Sequence, residues 1–345
     1  MSNVKLTALF GPEHGIRGQA DAGAKVASEH DPLNGIPIYS LYGKNRKPTV
    51  DMLKNVDILV FDIQDIGSRF YTYIWTMALA MEAAAEQGLP FVVLDRPNPL
   101  NGNDIEGNIL KTEFSTFVGM YPIPVRHGMT VGELARMFNG EGWLKNGIKA
   151  DLKIIPLKNW KRNYWFDQTG LKFIKPSPNM PDLETATVYP GLCLLEGTNI
   201  SEGRGTLKPF LQFGAPWING DQLADNLNAL IIPGIRFKAN TLTPISIPGM
   251  ATHPKHQDKL CNGVQIEISG REKLNVYFAG IQIIQTIHNL YPDHFKWKET
   301  HFDRLCGTAD VRQAIQDGQN INFLFKRFAN QQKEFKFSRK PYLLY

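Results

Sequence analysis

The chain has 345 residues, is 43% hydrophobic, and carries 38 basic against 33 acidic residues for a net charge of +5. That composition can bury a large core, usually divided between about two domains at this length. The charges are dispersed, with no basic run interleaved with aromatics, so a surface that tracks nucleic acid is not indicated. No run of about eighteen apolar residues offers a stable membrane insertion, and the first residues show no secretory signal. Cys193, Cys261 and Cys306 are odd in number and widely spaced, which argues against a zinc knuckle or a disulfide framework. They read as small buried residues.

Residues 6–10 form a short apolar run that stops at a Gly-Pro turn carrying Glu13 and His14. This predicts a strand with reactive groups at its tip, and in open α/β sheets ligands bind outside the carboxyl ends of the strands. Residues 19–32 lack periodicity and read as a long surface loop. Residues 36–42 are a short extended piece, and 49–54 a brief helix entered after Pro48. Residues 56–61 have the continuous apolar content of a buried parallel strand and run into Asp62-Ile-Gln-Asp-Ile-Gly-Ser-Arg69. Residues 71–87 are rich in helix formers and stop at Gly88, and residues 89–94 form the next strand, ending at Asp95 and Arg96. Strand, helix and strand make a βαβ unit, which requires parallel neighbours and a right-handed crossover.

Residues 101–119 read as loop, and 121–125 lead into Arg126 and His127. Thr130 and Glu133 then fit a capping box that opens a helix to about residue 139. Residues 150–156 are the last expected strand of this sheet. Trp160, Tyr164, Trp165 and Phe166 cluster among basic residues. Pro176, Pro178 and Pro181 make residues 175–182 a rigid connector or a shaped wall, since proline removes donors and forces extended geometry. Residues 189–196 lead into a Gly-rich polar loop over 197–206. Helix-like segments (220–230, 273–291, 308–317) then alternate with strand-like ones (235–239, 261–268). The reading is an α/β protein with a mostly parallel sheet in a domain over 1–182 and a second α/β domain over 183–345.

Several polar groups are candidates for chemistry. A carboxylate pair at one sheet edge can keep one member protonated as a general acid, which singles out Glu13, His14, Asp62 and Asp65, with Gln64 beside them. The competing explanation for each is turn formation or helix capping. Arg69, Tyr71 and Tyr73 open a helix and are either core or substrate contacts. Asp95 and Arg96 form a local ion pair or face a ligand, and His127 follows a strand end. Glu196, Asn199, Glu202 and Arg204 share one Gly-punctuated loop, in which an arginine could grip a carboxylate with two parallel hydrogen bonds. Neither a phosphate loop, a dinucleotide fingerprint nor a nucleophile elbow is present. Carboxylate chemistry is what remains.

Four motifs carry a resemblance: Phe10-Gly-Pro-Glu-His-Gly-Ile-Arg-Gly18, Phe61-Asp-Ile-Gln-Asp-Ile-Gly-Ser-Arg-Phe-Tyr-Thr-Tyr73, Leu94-Asp-Arg-Pro-Asn-Pro99 and Leu195-Glu-Gly-Thr-Asn-Ile-Ser-Glu-Gly-Arg-Gly-Thr206. Together they resemble the exo-β-N-acetylmuramidase (NamZ-like) family, formerly a domain of unknown function. The resemblance implies a Rossmann-like N-terminal domain, a smaller C-terminal domain, and a cleft that releases N-acetylmuramic acid from the non-reducing end of peptidoglycan fragments. It implies Glu13 as the catalytic acid. Asn199, Glu202 and Arg204 are then expected to recognise the lactyl carboxylate or N-acetyl group, with no metal or redox cofactor.

Relatives in that family begin with an export leader and a further strand ahead of the first motif. The resemblance therefore implies a periplasmic or extracellular protein, with the family's leader and first strand expected to be absent from the sequence as given. A second carboxylate about 5 Å from the acid would suit a retaining enzyme, and one about 6.5 to 9.5 Å away an inverting one. A binding protein for muramyl saccharides without turnover is the alternative in a different functional class.

Overall fold

The structure, a computed structural model, describes residues 4–18, 20 and 28–345. The first sheet contains β1 (Leu9–Gly11), β2 (Glu29–His30) and β3 (Pro37–Ser40) in the order β1-β3-β2, with β1 and β3 parallel. Its opening strand is shorter than the apolar run suggested and lies nearer Pro12, where the missing N–H ends the ladder. Most of the loop expected over 19–32 lies outside the described residues, and its described end forms β2.

α1 (Val50–Leu53) is entered through Thr49, whose hydroxyl accepts the Met52 amide. β4 (Leu59–Phe61), α2 (Tyr73–Glu86) and β5 (Phe91–Leu94) form the expected βαβ unit, and α3 (Val131–Gly140) leads to β6 (Leu152–Ile155). The second sheet is parallel throughout, in the order β4-β5-β6. The capping box on α3 is present, with Thr130 and Glu133 each satisfying the other's backbone amide. α2 and α3 close over this sheet through aromatic packing: Trp75 stacks on Phe138 with ring centroids 5.6 Å apart. An apolar groove of about 670 Å3 runs between the two sheets, bordered by Phe10, Ile58, Val60 and Tyr73.

The second unit contains α4 (Leu183–Leu192), β7 (Gln212–Ala215), α5 (Gly220–Ala229), β8 (Ile235–Leu242), β9 (Cys261–Ile268) and α6 (Val276–Leu290). It ends with α7 (Glu299–Cys306), α8 (Asp310–Gln316) and α9 (Asn322–Ser338). Its sheet is antiparallel, in the order β7-β9-β8. α4, β7, α7 and α9 were not anticipated. Proline and glycine disfavour a helix interior, yet α4 continues through Pro190, with residues 185–192 buried throughout. Glycine explains the close approach of α4 to α6: a Cβ at Gly191 would lie 2.0 Å from the Val276 carbonyl oxygen, and one at Gly280 2.4 Å from the Gly191 oxygen.

The two units share a core instead of meeting across a linker. Ile66, Phe70 and Tyr71 of the first join Tyr189, Phe210, Tyr277 and Phe302 of the second in one apolar cluster. Arg69 reinforces the joint. Its fully buried guanidinium donates to the carbonyls of Asn108 (2.9 Å) and Ile123 (2.8 Å) in one unit and of Leu305 (3.1 Å) and Cys306 (2.7 Å) in the other. The chain then returns after α9: Arg339 donates to the His127 and Gly128 carbonyls, and the Tyr345 hydroxyl to Asp95. Among the described residues no helix is long and apolar enough to cross a membrane.

Candidate active site

A pocket of about 670 Å3 opens between the two units. The turn after β1 supplies Glu13 and His14 on one side. His14 occupies the left-handed region (φ 72°), and its Nδ1 lies 2.6 Å from the Ala20 carbonyl oxygen. Gly11 permits the tight return, since a Cβ there would sit 2.7 Å from the Ile16 amide. The turn aims Glu13 at the entrance of α2, where the Thr72 hydroxyl donates to Oε2 at 2.8 Å. Tyr42 stands on the same side: burial first, then the charge of Glu13, push its phenol up to about 12.

The second unit supplies further lining residues. A 3-10 turn over Cys193–Gly197 presents Glu196, and the Gly-rich loop brings Arg204 back onto it. Arg204 donates from Nε (3.1 Å) and Nη2 (2.7 Å) to Glu196 Oε1, and its guanidinium lies over the Phe210 ring at 5.1 Å. Nε is also 3.6 Å from Glu202. On α7, His301 Nε2 lies 3.7 Å from Glu196 Oε2. Burial alone would push Glu196 up; Arg204 and His301 outweigh it and hold the carboxyl down to about 2. The same pairing raises Arg204 against the opposing effect of burial.

Other anticipated residues have different surroundings. Tyr71 lines the pocket, packed edge-on against Tyr73 at 4.8 Å and Tyr189 at 6.0 Å, and burial lifts its phenol well above the ordinary range. Tyr73 faces the neighbouring groove and donates to the Pro176 carbonyl at 2.6 Å. Asp65 and His127 are buried and do not line the pocket; Asp65 Oδ2 accepts the Gly67 amide at 2.6 Å and lies 3.8 Å from His127 Nε2.

Asp62, Gln64 and Arg96 border the apolar groove and not this pocket. Arg96 pairs with the exposed Asp62 carboxylate, its Nε at 2.9 Å, and Gln64 donates to the Asp65 and Pro97 carbonyls. Asp95 receives the Thr130 hydroxyl and Gly132 amide, both at 2.7 Å, at the start of α3. Burial raises its pKa against those bonds. Arg69 has four carbonyl partners at the joint, so its terminal nitrogens are directed away from any ligand. Asn199 braces its loop through the His294 carbonyl and Lys296 amide, both at 2.9 Å. Glu202 is buried against Lys255 at 2.8 Å. Of the residues in these motifs, the pocket gathers Glu13, His14, Phe70, Tyr71, Thr72, Glu196 and Arg204.

Sequence reasoning did not single out Tyr42, Thr72, Asn179, His301 or Arg304, which also line the pocket. His301 and Arg304 are three residues apart on a helix that was not anticipated, so no motif marked them. Asn179 lies in the proline-rich connector, which proves to be a shaped wall of the pocket.

Comparison with known proteins supplies the family. The model described as "Exo-beta-N-acetylmuramidase NamZ, N-terminal" matches residues 1–184, and its C-terminal counterpart matches residues 187–345. A curated relative, "Peptidoglycan beta-N-acetylmuramidase NamZ" of Bacillus subtilis (strain 168), is 53% identical over 344 residues, covering 99% of this chain and 80% of the relative. Two crystal structures of DUF1343 family proteins from Bacteroides fragilis NCTC 9343 are each 38% identical, with TM-scores of 0.90 and 0.81. The matches cover 99% and 100% of this chain, respectively, and 87% of each neighbour. With both halves matched in order and a mixed α/β fold carrying the parallel sheet, the chain belongs to the NamZ family of exo-β-N-acetylmuramidases and is a glycosidase.

Proposed function

We propose that this pocket releases N-acetylmuramic acid from the non-reducing end of peptidoglycan fragments, with Glu13 protonating the departing glycosidic oxygen. The observation that carries the reading is that Glu13 and Glu196, from different units, line one pocket. Glycoside hydrolysis uses two carboxyl groups flanking the scissile bond, one as acid and one as base or nucleophile. Arg204 keeps Glu196 ionised, which suits it to activating water or attacking the anomeric carbon. The Tyr71, Tyr189 and Phe210 rings provide the mixed apolar and polar lining that a sugar ring packs against. The same reading proposes a periplasmic or extracellular protein, where peptidoglycan lies.

The test is turnover of 4-nitrophenyl β-N-acetylmuramide. Glu13→Gln is expected to lower kcat about 10²- to 10⁴-fold, the span of a lost general acid. Wild-type turnover by that variant would remove Glu13 from the mechanism.

A further inference from the structure

Arg46, Arg204, His301 and Arg304 all bring basic side chains to the pocket, but their partners differ. Arg204 is clamped to Glu196 and stacked on Phe210. His301 faces Glu196. Arg46 lies over the Phe117 ring at 4.5 Å. The Arg304 side chain is exposed and, among the described residues, makes no hydrogen bond, ion pair or ring contact.

Its backbone, by contrast, is firmly held. Asp303 accepts Arg312 Nε at 2.9 Å and Nη2 at 2.7 Å. Phe302 is fully buried against Gly197, where a Cβ would come within 2.6 Å of the Phe302 Cα. The carbonyls of Leu305 and Cys306 accept Arg69, and Gly307 closes the helix in the left-handed region (φ 70°). A guanidinium on a fixed helical base beside a binding pocket, with its planar donor fork uncommitted, is suited to a carboxylate.

Resting on the muramyl reading above, we propose that Arg304 is the specificity residue that reads the lactyl carboxylate, the group that distinguishes N-acetylmuramic acid from N-acetylglucosamine. Arg204 has the right chemistry but the wrong company: engaging a ligand would mean releasing the carboxylate it holds ionised. Among the described residues, Arg304 gives up no side-chain partner on binding. The two positive charges thereby divide the work, one serving the enzyme's own glutamate and one the substrate's acid.

The test compares 4-nitrophenyl β-N-acetylmuramide with its lactyl methyl ester, which keeps the shape and removes the charge. In Arg304→Gln the ratio of kcat/KM for acid over ester is expected to fall about 10- to 100-fold, mainly through KM, as for a lost charge-assisted hydrogen bond. Arg304→Lys is expected to restore part of that ratio. An unchanged ratio in Arg304→Gln, or a loss confined to Arg46→Gln, overturns the assignment.

Calorimetric titration of the full chain with N-acetylmuramic acid and N-acetylglucosamine separates this proposal from the function it rests on. If the wild type turns over neither muramide but prefers the acid sugar and Arg304→Gln loses that preference, the hydrolytic reading fails and the Arg304 assignment stands. If the preference survives in Arg304→Gln, the assignment fails.

Discussion

The two walls of the pocket hold their glutamates in different ways. Glu13 projects from a tight turn at a strand tip and is met by the Thr72 hydroxyl, with the Tyr42 phenol close by. Glu196 sits on a short 3-10 turn and is met by a guanidinium and an imidazole. Hydroxyl partners can serve a carboxyl in either protonation state, because a hydroxyl both donates and accepts. A guanidinium donates only and favours the ionised form. The difference teaches how one pocket can give two carboxyl groups different surroundings: Arg204 and His301 hold Glu196 well below the ordinary carboxylate range, while the Thr72 hydroxyl donates to Glu13.

The contrast is expected to break most severely in Glu13→Gln, with the loss of turnover given above. Glu196→Gln is expected to lower kcat about 10²-fold or more while the fold is retained, as checked by turnover of the muramide and near-ultraviolet circular dichroism. Equal turnover would confine Glu196 to an ion pair. The same variant reports on stability. The Glu196 pKa falls from its ordinary 4.5 to about 2 on folding, so its contribution is fully present above about 4.5 and is lost as pH falls toward 2. Thermal melts across that window are expected to show a steeper acid decline in wild type than in Glu196→Gln.

Arg69 tests the frame that carries both walls. Arg69→Met should cost on the order of 3 kcal/mol in chemical denaturation, because buried carbonyls in both units lose a charged donor. Turnover per folded molecule should persist; a variant of native stability with lost turnover would instead return Arg69 to the substrate. The smallest effect is expected at Asp62→Asn. Its exposed pair with Arg96 is worth at most about 1 kcal/mol, and assay of the muramide should detect little change. A large loss of turnover would bring the groove-side carboxylate into the chemistry.

Much of the frame was legible because its signals are local. The βαβ unit follows from apolar runs separated by a helix that stops at Gly88, and the capping box of α3 needs only Thr130 and Glu133 three residues apart. α4 was hidden because Pro190 and Gly191 argue locally for a break, whereas burial on every side and the close crossing with α6 override them. Asp62 and Glu13 look equivalent as polar groups following strands. Only the path of the chain beyond each one turns Glu13 toward α2 and the pocket and Asp62 toward Arg96 at the groove.

By itself the sequence determined the α/β class, the positions of most of the first unit's elements and the motifs that contain Glu13, Glu196 and Arg204. Those features depend on residue type and short spacing. The tertiary structure alone decided that Glu13 and Glu196 face one pocket, that Arg69 bridges the units and that Arg304 stands beside the site without a side-chain partner among the described residues. Each depends on contacts between segments more than a hundred residues apart, or on partners that a neighbouring helix has already taken, and no local pattern records either.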